Sequence, residues 1–182
     1  MSRVVIVGDG PGGLSAALLL AKNGVEVTVV GQDTTPMHHA HLYNYLGAPD
    51  IDGSEFQRLA REQAAGQGAR IVEGEVTAIE VSDVGATVDA TSGRLEAEYV
   101  VLAGGKSAQS LSTQLGLTEG DRVPVDQEFR TSLDRVYAIG RLVRPERSQA
   151  IISAGAGATV ALDILSREAG KDVHDWDTPP ES

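Results

Sequence analysis

The chain has 182 residues, 15 Lys and Arg against 26 Asp and Glu, a net charge of −11 and 41% hydrophobic residues. That length suits one domain, or one domain with a small appendage, and the charge argues against nucleic acid and anionic membrane surfaces as partners. With no cysteine there is no disulfide framework, thiolate metal site or Cys-x-x-Cys pair in this chain, so any redox chemistry must sit on a bound cofactor.

Residues 3–7 read as a buried parallel strand, apolar on both faces. They run into Gly8-Asp9-Gly10-Pro11-Gly12-Gly13, and a helix-forming stretch follows over 14–23, with Gly24 as its stop. A second strand over 25–30 completes a βαβ start. In such a Gly-x-Gly-x-x-Gly turn, Gly8 allows the tight bend and Gly10 lets a pyrophosphate approach the backbone. Gly13 lets helix and strand pack closely. The helix N-terminus then offers free N–H groups and positive charge to the phosphates. Strand before, helix after and strand next are the context that separates a dinucleotide site from a chance glycine turn.

Residues 31–53 form a long polar connection rich in Thr, His, Pro and Gly, a length that marks a functional or disordered loop. Ser54 is the expected N-cap of a helix to about Gly66, since Phe56, Leu59, Ala60 and Ala64 recur at helical spacing. A third short strand is expected over 70–73 and an antiparallel meander over 75–81, 85–91 and 94–98. Residues 99–103 form a fourth buried strand ending at Gly104-Gly105, and 136–139 another ending at Gly140. A final helix spans 151–168, and the polar tail over 171–182 is expected to fray. The apolar stretches read as strand-sized, so no membrane span is expected. The chain enters a strand by Arg3, which leaves no room for a signal peptide and makes the cytoplasm the default location.

In order along the chain stand Gly8-Asp-Gly-Pro-Gly-Gly-Leu-Ser-Ala-Ala17, Leu42-Tyr-Asn-Tyr-Leu-Gly47 with Ile51-Asp-Gly53, and Glu62-Gln-Ala followed by Gly68-Ala-Arg-Ile-Val. Then come Tyr99-Val-Val-Leu-Ala-Gly-Gly105, Thr131-Ser-Leu-Asp-Arg-Val-Tyr-Ala-Ile-Gly140 and Gln149-Ala-Ile-Ile-Ser-Ala-Gly-Ala-Gly157. Together these motifs resemble the FAD-binding domain of the thioredoxin-reductase-like flavoproteins, over residues 3 to about 168. The resemblance implies a three-layer, Rossmann-like α/β domain over 1–170, with a central parallel sheet and a small antiparallel meander. It implies FAD as cofactor, NAD(P)H or a redox partner protein as electron source, and pairing into a homodimer.

The departures narrow that implication. The family inserts an NAD(P)-binding domain, carrying its Cys-x-x-Cys, between the strands ending at Gly105 and Gly140. Here only 106–135 separates them, too short for two βαβ units of about thirty residues each. The chain therefore reads as the FAD domain alone and not as a complete thioredoxin reductase. The family's Gly-Asp of the second FAD motif is Gly140-Arg141 here, an acceptor replaced by a five-donor cation. Arg141 either faces the pyrophosphate or turns to solvent. The family's Gly-Gly segment against the flavin is replaced by Thr34-Thr-Pro-Met-His-His-Ala-His41.

Transferred residue by residue, the resemblance nominates Gly8, Gly10, Pro11, Gly12, Gly13, Ala103, Gly104, Gly105, Gly140 and Arg141 around the dinucleotide. Asn44 is nominated against the flavin and Val76, through its backbone, against adenine. The helix start at Gln149, Ala150 and Ile151 faces the flavin edge, where a helix dipole favours negative charge. The acid that usually grips the ribose at the end of the second strand is missing, since that end is Gly31; Gln32 or Asp33 is the substitute, or a plain loop residue. Asp9 puts a carboxylate beside the phosphate turn unless its side chain faces away. Of the clustered His38, His39 and His41, the candidate catalytic group is His41, as a flavin-side proton donor. No metal is expected, because the rigid ligand set that a metal requires is not supplied. A rival reading is a non-catalytic nucleotide-binding or regulatory module, and a third is the FAD subunit of a split reductase.

Overall fold

The computed structural model describes residues 2–178. Five strands form one parallel sheet: β1 (Arg3–Val7), β2 (Glu26–Gly31), β5 (Arg70–Glu73), β9 (Tyr99–Leu102) and β10 (Val136–Ala138), in the order β10-β9-β1-β2-β5. Their apolar composition follows from burial on both faces. Val4 and Ile6 of β1 enter one core, with Leu14, Leu20, Val160 and Ile164. Val5 and Val7 enter the other, with Val88, Val100, Leu102 and Leu111.

Three helices cover the first face: α1 (Pro11–Lys22), α2 (Gly53–Gly66) and α4 (Ala150–Ala169). The second face is covered by the meander of β6 (Val76–Ser82), β7 (Gly85–Ala90) and β8 (Gly93–Ala97), together with α3 (Gly105–Gln114). These are the three layers expected. On the helical side the buried Tyr137 donates to Asp163 at 2.6 Å, and Arg130 Nε meets the same carboxylate at 2.8 Å. Burial works against charge on Asp163, but the hydrogen bonds from Arg130 and Tyr137 outweigh it and hold the pKa below the usual range.

Several expectations are corrected. Between β9 and β10 lies a ten-residue helix, α3, which the sequence pattern does not announce. The helix α2 starts at Gly53 after Asp52, and Ser54 is not its cap; Ser54 Oγ instead meets His38 Nδ1 at 3.0 Å. The 31–53 connection is partly ordered, with a 3-10 turn at Pro36–His39 and a two-stranded pairing of β3 (His41–Leu42) with β4 (Ile51–Asp52). The longest apolar stretch is helix-sized: α4 has 20 residues and is apolar enough to cross a membrane by length and composition. Its buried stripe of Val160, Ala161 and Ile164, packed beside α1, is that of a core helix. The tail does not fray where described: Lys22 Nζ pairs with Asp175 at 3.0 Å, and the Val173 N–H donates to Ser166 Oγ at 2.9 Å. Residues 179–182 of that tail lie outside the described residues.

Candidate functional site

The C-terminal ends of β1, β9 and β10 and the N-termini of α1 and α4 converge on one edge of the sheet. This is where open α/β sheets bind ligands. After Val7 the chain bends at Gly8, whose φ of 109° favours glycine. The Gly8 N–H donates to the Val30 carbonyl at 2.9 Å, tying the turn to β2. Gly10 is the N-cap of α1 and Pro11 its first residue; no side chain caps the helix and no acid sits in its first turn. The first-turn N–H groups are thus left for an anion.

Close backbone packing brings the remaining parts together. A side chain at Gly13 would meet the Gly8 carbonyl, and one at Gly157 would meet the Gly12 carbonyl. A Cβ at Gly12 would stand 3.0 Å from Ile139 Cδ1 and 3.0 Å from the Ser153 carbonyl. The Ala103 N–H donates to the Val7 carbonyl at 2.9 Å, and a Cβ at Gly8 would stand 3.2 Å from the Gly104 carbonyl. Gly104 caps α3, which begins at Gly105. The Arg141 backbone N lies 3.9 Å from a Cβ built on Gly104. Gly140, in turn, abuts Ser153 Oγ and the Ala103 carbonyl. Arg141 is exposed, and its guanidinium makes no hydrogen bond or ion pair among the described residues. The structure thus gathers Gly8, Gly10, Pro11, Gly12, Gly13, Ala103, Gly104, Gly105, Gly140 and Arg141 around one turn.

At the second helix end, Gln149 is the N-cap of α4, followed by Ala150 and a partly exposed Ile151, again with no side-chain cap and no first-turn acid. Asn44 Nδ2 donates to Gln149 Oε1 at 3.1 Å, so the 42–48 segment leans on this helix start. Two nominated residues are thereby brought to each other across the chain.

Beyond β2 and β5 lies an open cavity of about 640 Å³, lined by Gln32, Thr34, Glu73, Gly74 and Thr91. Gln32 borders it. Asp33 follows Gln32, with Oδ1 engaged by His38 Nε2 at 3.0 Å and by Gln57 Nε2 at 3.3 Å. The Val76 side chain is buried in the core, and its carbonyl accepts from Ser107 Oγ at 3.3 Å.

Both ring nitrogens of His41 are engaged by carboxylates. Its Nδ1 meets Asp52 and its Nε2 meets Asp50, both at 2.7 Å. Hydrogen bonds to Asp50 and then Asp52 raise its pKa above the usual histidine value. His38 and His39 do not join it, and among the described residues no group of His, Asp and Glu could hold a metal ion.

Sequence reasoning missed the polar side of α2. Gln57 is fully buried, and its Nε2 donates to the Asp9 carbonyl at 2.6 Å. Arg61 pairs with the Asp9 carboxylate. The signal was available: Gln57 and Arg61 stand one turn apart, in line with the buried Ala64, on the face of α2 turned to the core.

The fold and this edge define a dinucleotide-binding α/β domain with the backbone traits of a flavoprotein. Residues 50–158 match the family model described as pyridine nucleotide-disulphide oxidoreductase, and residues 1–44 match a model described as FAD binding domain. The chain belongs to the pyridine nucleotide-disulphide oxidoreductase family, and it is an FAD-binding, thioredoxin-reductase-like domain of that family. Among curated relatives, NADPH-dependent thioredoxin reductase 3 of Arabidopsis thaliana is 26% identical over 177 residues, covering 91% of this chain and 31% of that protein. Dihydrolipoyl dehydrogenase of Chlamydia pneumoniae is 28% identical over 144 residues, covering 76% of this chain and 29% of that protein. The chain thus spans less than a third of the length of these relatives. Among solved structures, the atypical thioredoxin reductase TRi from Desulfovibrio vulgaris Hildenborough superposes with a TM-score of 0.83 at 16% identity, across 93% of this chain and 99% of that chain. A thioredoxin reductase from Gloeobacter violaceus gives 0.82 at 17% identity, across 97% and 99%. At these identities the structural likeness establishes the fold.

Proposed function

We propose that this chain is the flavin-holding unit of a thioredoxin-reductase-like oxidoreductase, working as a single domain over 1–170 with FAD along the edge just described. The observation that carries the reading is the convergence of two uncapped helix N-termini, those of α1 and α4, on a rim of close-packed glycines. The residues fit the group. The N–H groups after Gly10 and Pro11 face where a diphosphate needs donors, and Gly10, with only Thr35 Oγ1 at 3.6 Å from a built Cβ, lets it approach the backbone. Arg141, a cation on the same rim with no ion-pair partner among the described residues, adds a guanidinium suited to a phosphate. Gln149, Ala150 and Ile151 put a second positive helix end toward the opposite part of the cofactor. Asn44 steadies that end through Gln149. Gln32 lines the cavity where the adenosine half belongs, and Val76 follows the cavity's Gly74 by two residues.

When bound, FAD supplies two-electron chemistry that no side chain of this chain can supply. The protein's part is to bind, to orient and to set the local charge. With no cysteine present, a thiol relay has no residues to run on here. Electrons then arrive from NAD(P)H directly or from a partner protein, including a separate reductase subunit. His41, clamped between two carboxylates, serves the order of its hairpin rather than proton delivery. A cytoplasmic setting and pairing into a homodimer accompany this reading by resemblance.

The test is direct. The purified protein should be yellow, or become so on FAD addition, with a bound-flavin absorption spectrum; a colourless protein that takes up no FAD sinks the proposal. Anaerobic mixing with NADPH and with NADH then separates the electron sources. Bleaching by either supports direct reduction, and none with both favours a partner subunit. A second reading, a nucleotide-binding module without catalysis, is favoured by Gly140-Arg141 standing where the family has an acceptor. It predicts flavin uptake with no reduction by any donor.

A further inference from the structure

The end of β2 poses a specific problem. A carboxylate there ordinarily accepts hydrogen bonds from the adenosine ribose, and here the strand ends in Gly31. The space that a side chain would need is already filled. A Cβ built on Gly31 would stand 2.6 Å from Asp9 Oδ1 and 2.7 Å from Asp9 Cβ, with Asp9 Cγ closer still. Asp9 belongs to the glycine turn and is only 4% exposed. From the turn it crosses to the neighbouring strand end, and its carboxylate sits where a β2 side chain would begin.

A carboxylate buried this deeply is retained only with strong compensation. Asp9 Oδ2 accepts from the Asp33 N–H at 3.1 Å and is paired with Arg61. Gln57 holds the Asp9 carbonyl at 2.6 Å, so α2 fixes both the backbone and the charge of this one residue. The other carboxylate oxygen, Oδ1, makes no hydrogen bond among the described residues. It adjoins Gly31, the residue before Gln32 of the cavity lining. The Arg61 pairing also answers an electrostatic objection. A bare carboxylate beside a diphosphate would repel it, whereas a neutralised one costs the phosphates little and keeps its acceptor.

We infer that Asp9 has taken over the ribose-reading carboxylate from β2. Asp9 accepts from the adenosine 2′-hydroxyl, Arg61 and Gln57 position it, and Gly31 is glycine because Asp9 needs its space. This rests on the FAD reading above and assigns a specificity-determining residue within it. Position 31 and position 9 then form an exclusive pair, since only one of them can carry a side chain.

The experiment compares dissociation constants, from flavin fluorescence, for FAD and for FAD made with 2′-deoxyadenosine. The wild-type chain should prefer FAD by about tenfold, the worth of one hydrogen bond to a charged acceptor. In Asp9→Ala that preference should fall to about onefold. Asp9→Gly combined with Gly31→Asp returns the carboxylate to the strand and should restore it. Asp9→Gly combined with Gly31→Ala keeps the space filled without the charge and should not, which decides the matter if Asp9→Ala fails to fold. A preference unchanged in the variants lacking the carboxylate, or absent from the wild-type chain, overturns the inference while leaving FAD binding intact. A wild-type chain that binds neither compound overturns the cofactor reading itself, and this inference with it.

Discussion

The first turn of α1 and the segment from Gln32 to Asp52 flank the same edge of the sheet, yet they are held in opposite ways. The turn is built from backbone. Gly13 and Gly157 have no room for side chains, and Gly8, Ala103 and Gly104 meet through main-chain atoms. The segment is built from polar side chains: His38 spans Ser54 and Asp33, His41 spans Asp50 and Asp52, and Tyr43 and Leu46 point into solvent. Backbone packing is all-or-none, because a single added carbon collides with an atom that cannot move aside. Exposed ion pairs yield by degrees and contribute little each. The glycine turn therefore belongs to the rigid part of the fold, and the 32–52 segment can vary without loss of the scaffold.

The harshest way to break this contrast is to add a side chain at the α1–α4 seam. Gly157→Val would push its side chain into the Gly12 carbonyl, with the Ala16 N 3.0 Å from the new Cβ. The expected loss is about 3 kcal/mol of stability, read from the urea midpoint, with flavin uptake lost alongside it. Two residues earlier on α4, Gly155 has nothing within 4 Å of a built Cβ. Gly155→Ala should therefore gain about 0.5 kcal/mol, since alanine outranks glycine inside a helix. If both glycines tolerate alanine or valine equally, the rim is looser than described.

A milder test separates the rim's charge from its shape. Arg141 is exposed and unpaired among the described residues, so its removal should leave folding untouched. On the proposed role, Arg141→Ala weakens FAD binding by about tenfold, and added salt narrows the gap between variant and wild type. Affinity that is unchanged at low salt would mean that the guanidinium faces solvent and that the rim binds through its backbone alone.

The same contrast explains what the sequence makes legible. The first strand, its glycine turn and the following helix can be read from local pattern because each signal sits within a few residues of what it controls. The meander reads well for the same reason, since alternation and turn residues are local. The helix α3 escapes notice because only Ala108, Leu111 and Leu115 mark its inner face among Ser, Thr and Gln. The start of α2 at Gly53 is set by distance rather than propensity. A side chain there would strike the Met37 carbonyl, and the Gly53 N–H donates to the Ala40 carbonyl at 2.9 Å. The orientation of Asp9 is of the same kind, fixed by the bareness of Gly31 on the neighbouring strand. Local motifs announce the dinucleotide site, while its particular wiring depends on residues that meet only in three dimensions.

The smallest effect falls on the loop side and concerns proton binding at His41. Both ring nitrogens face carboxylates, so the charged imidazolium donates to Asp50 and Asp52 at once. Its folded pKa is raised above the usual 6.5. A raised folded pKa means that the extra order His41 gives to the β3–β4 pairing is fully present below the unfolded value. It is lost as pH rises through the folded value. A histidine NMR titration should therefore place His41 above 6.5, and Asp50→Asn with Asp52→Asn should return it toward that value. Amide exchange in the β3–β4 pairing should quicken over the same rise in pH, while amides of the glycine turn keep their protection. A His41 that titrates at or below 6.5 would remove the clamp. Loosening of the turn together with the loop would show that the two regions are one mechanical unit rather than two.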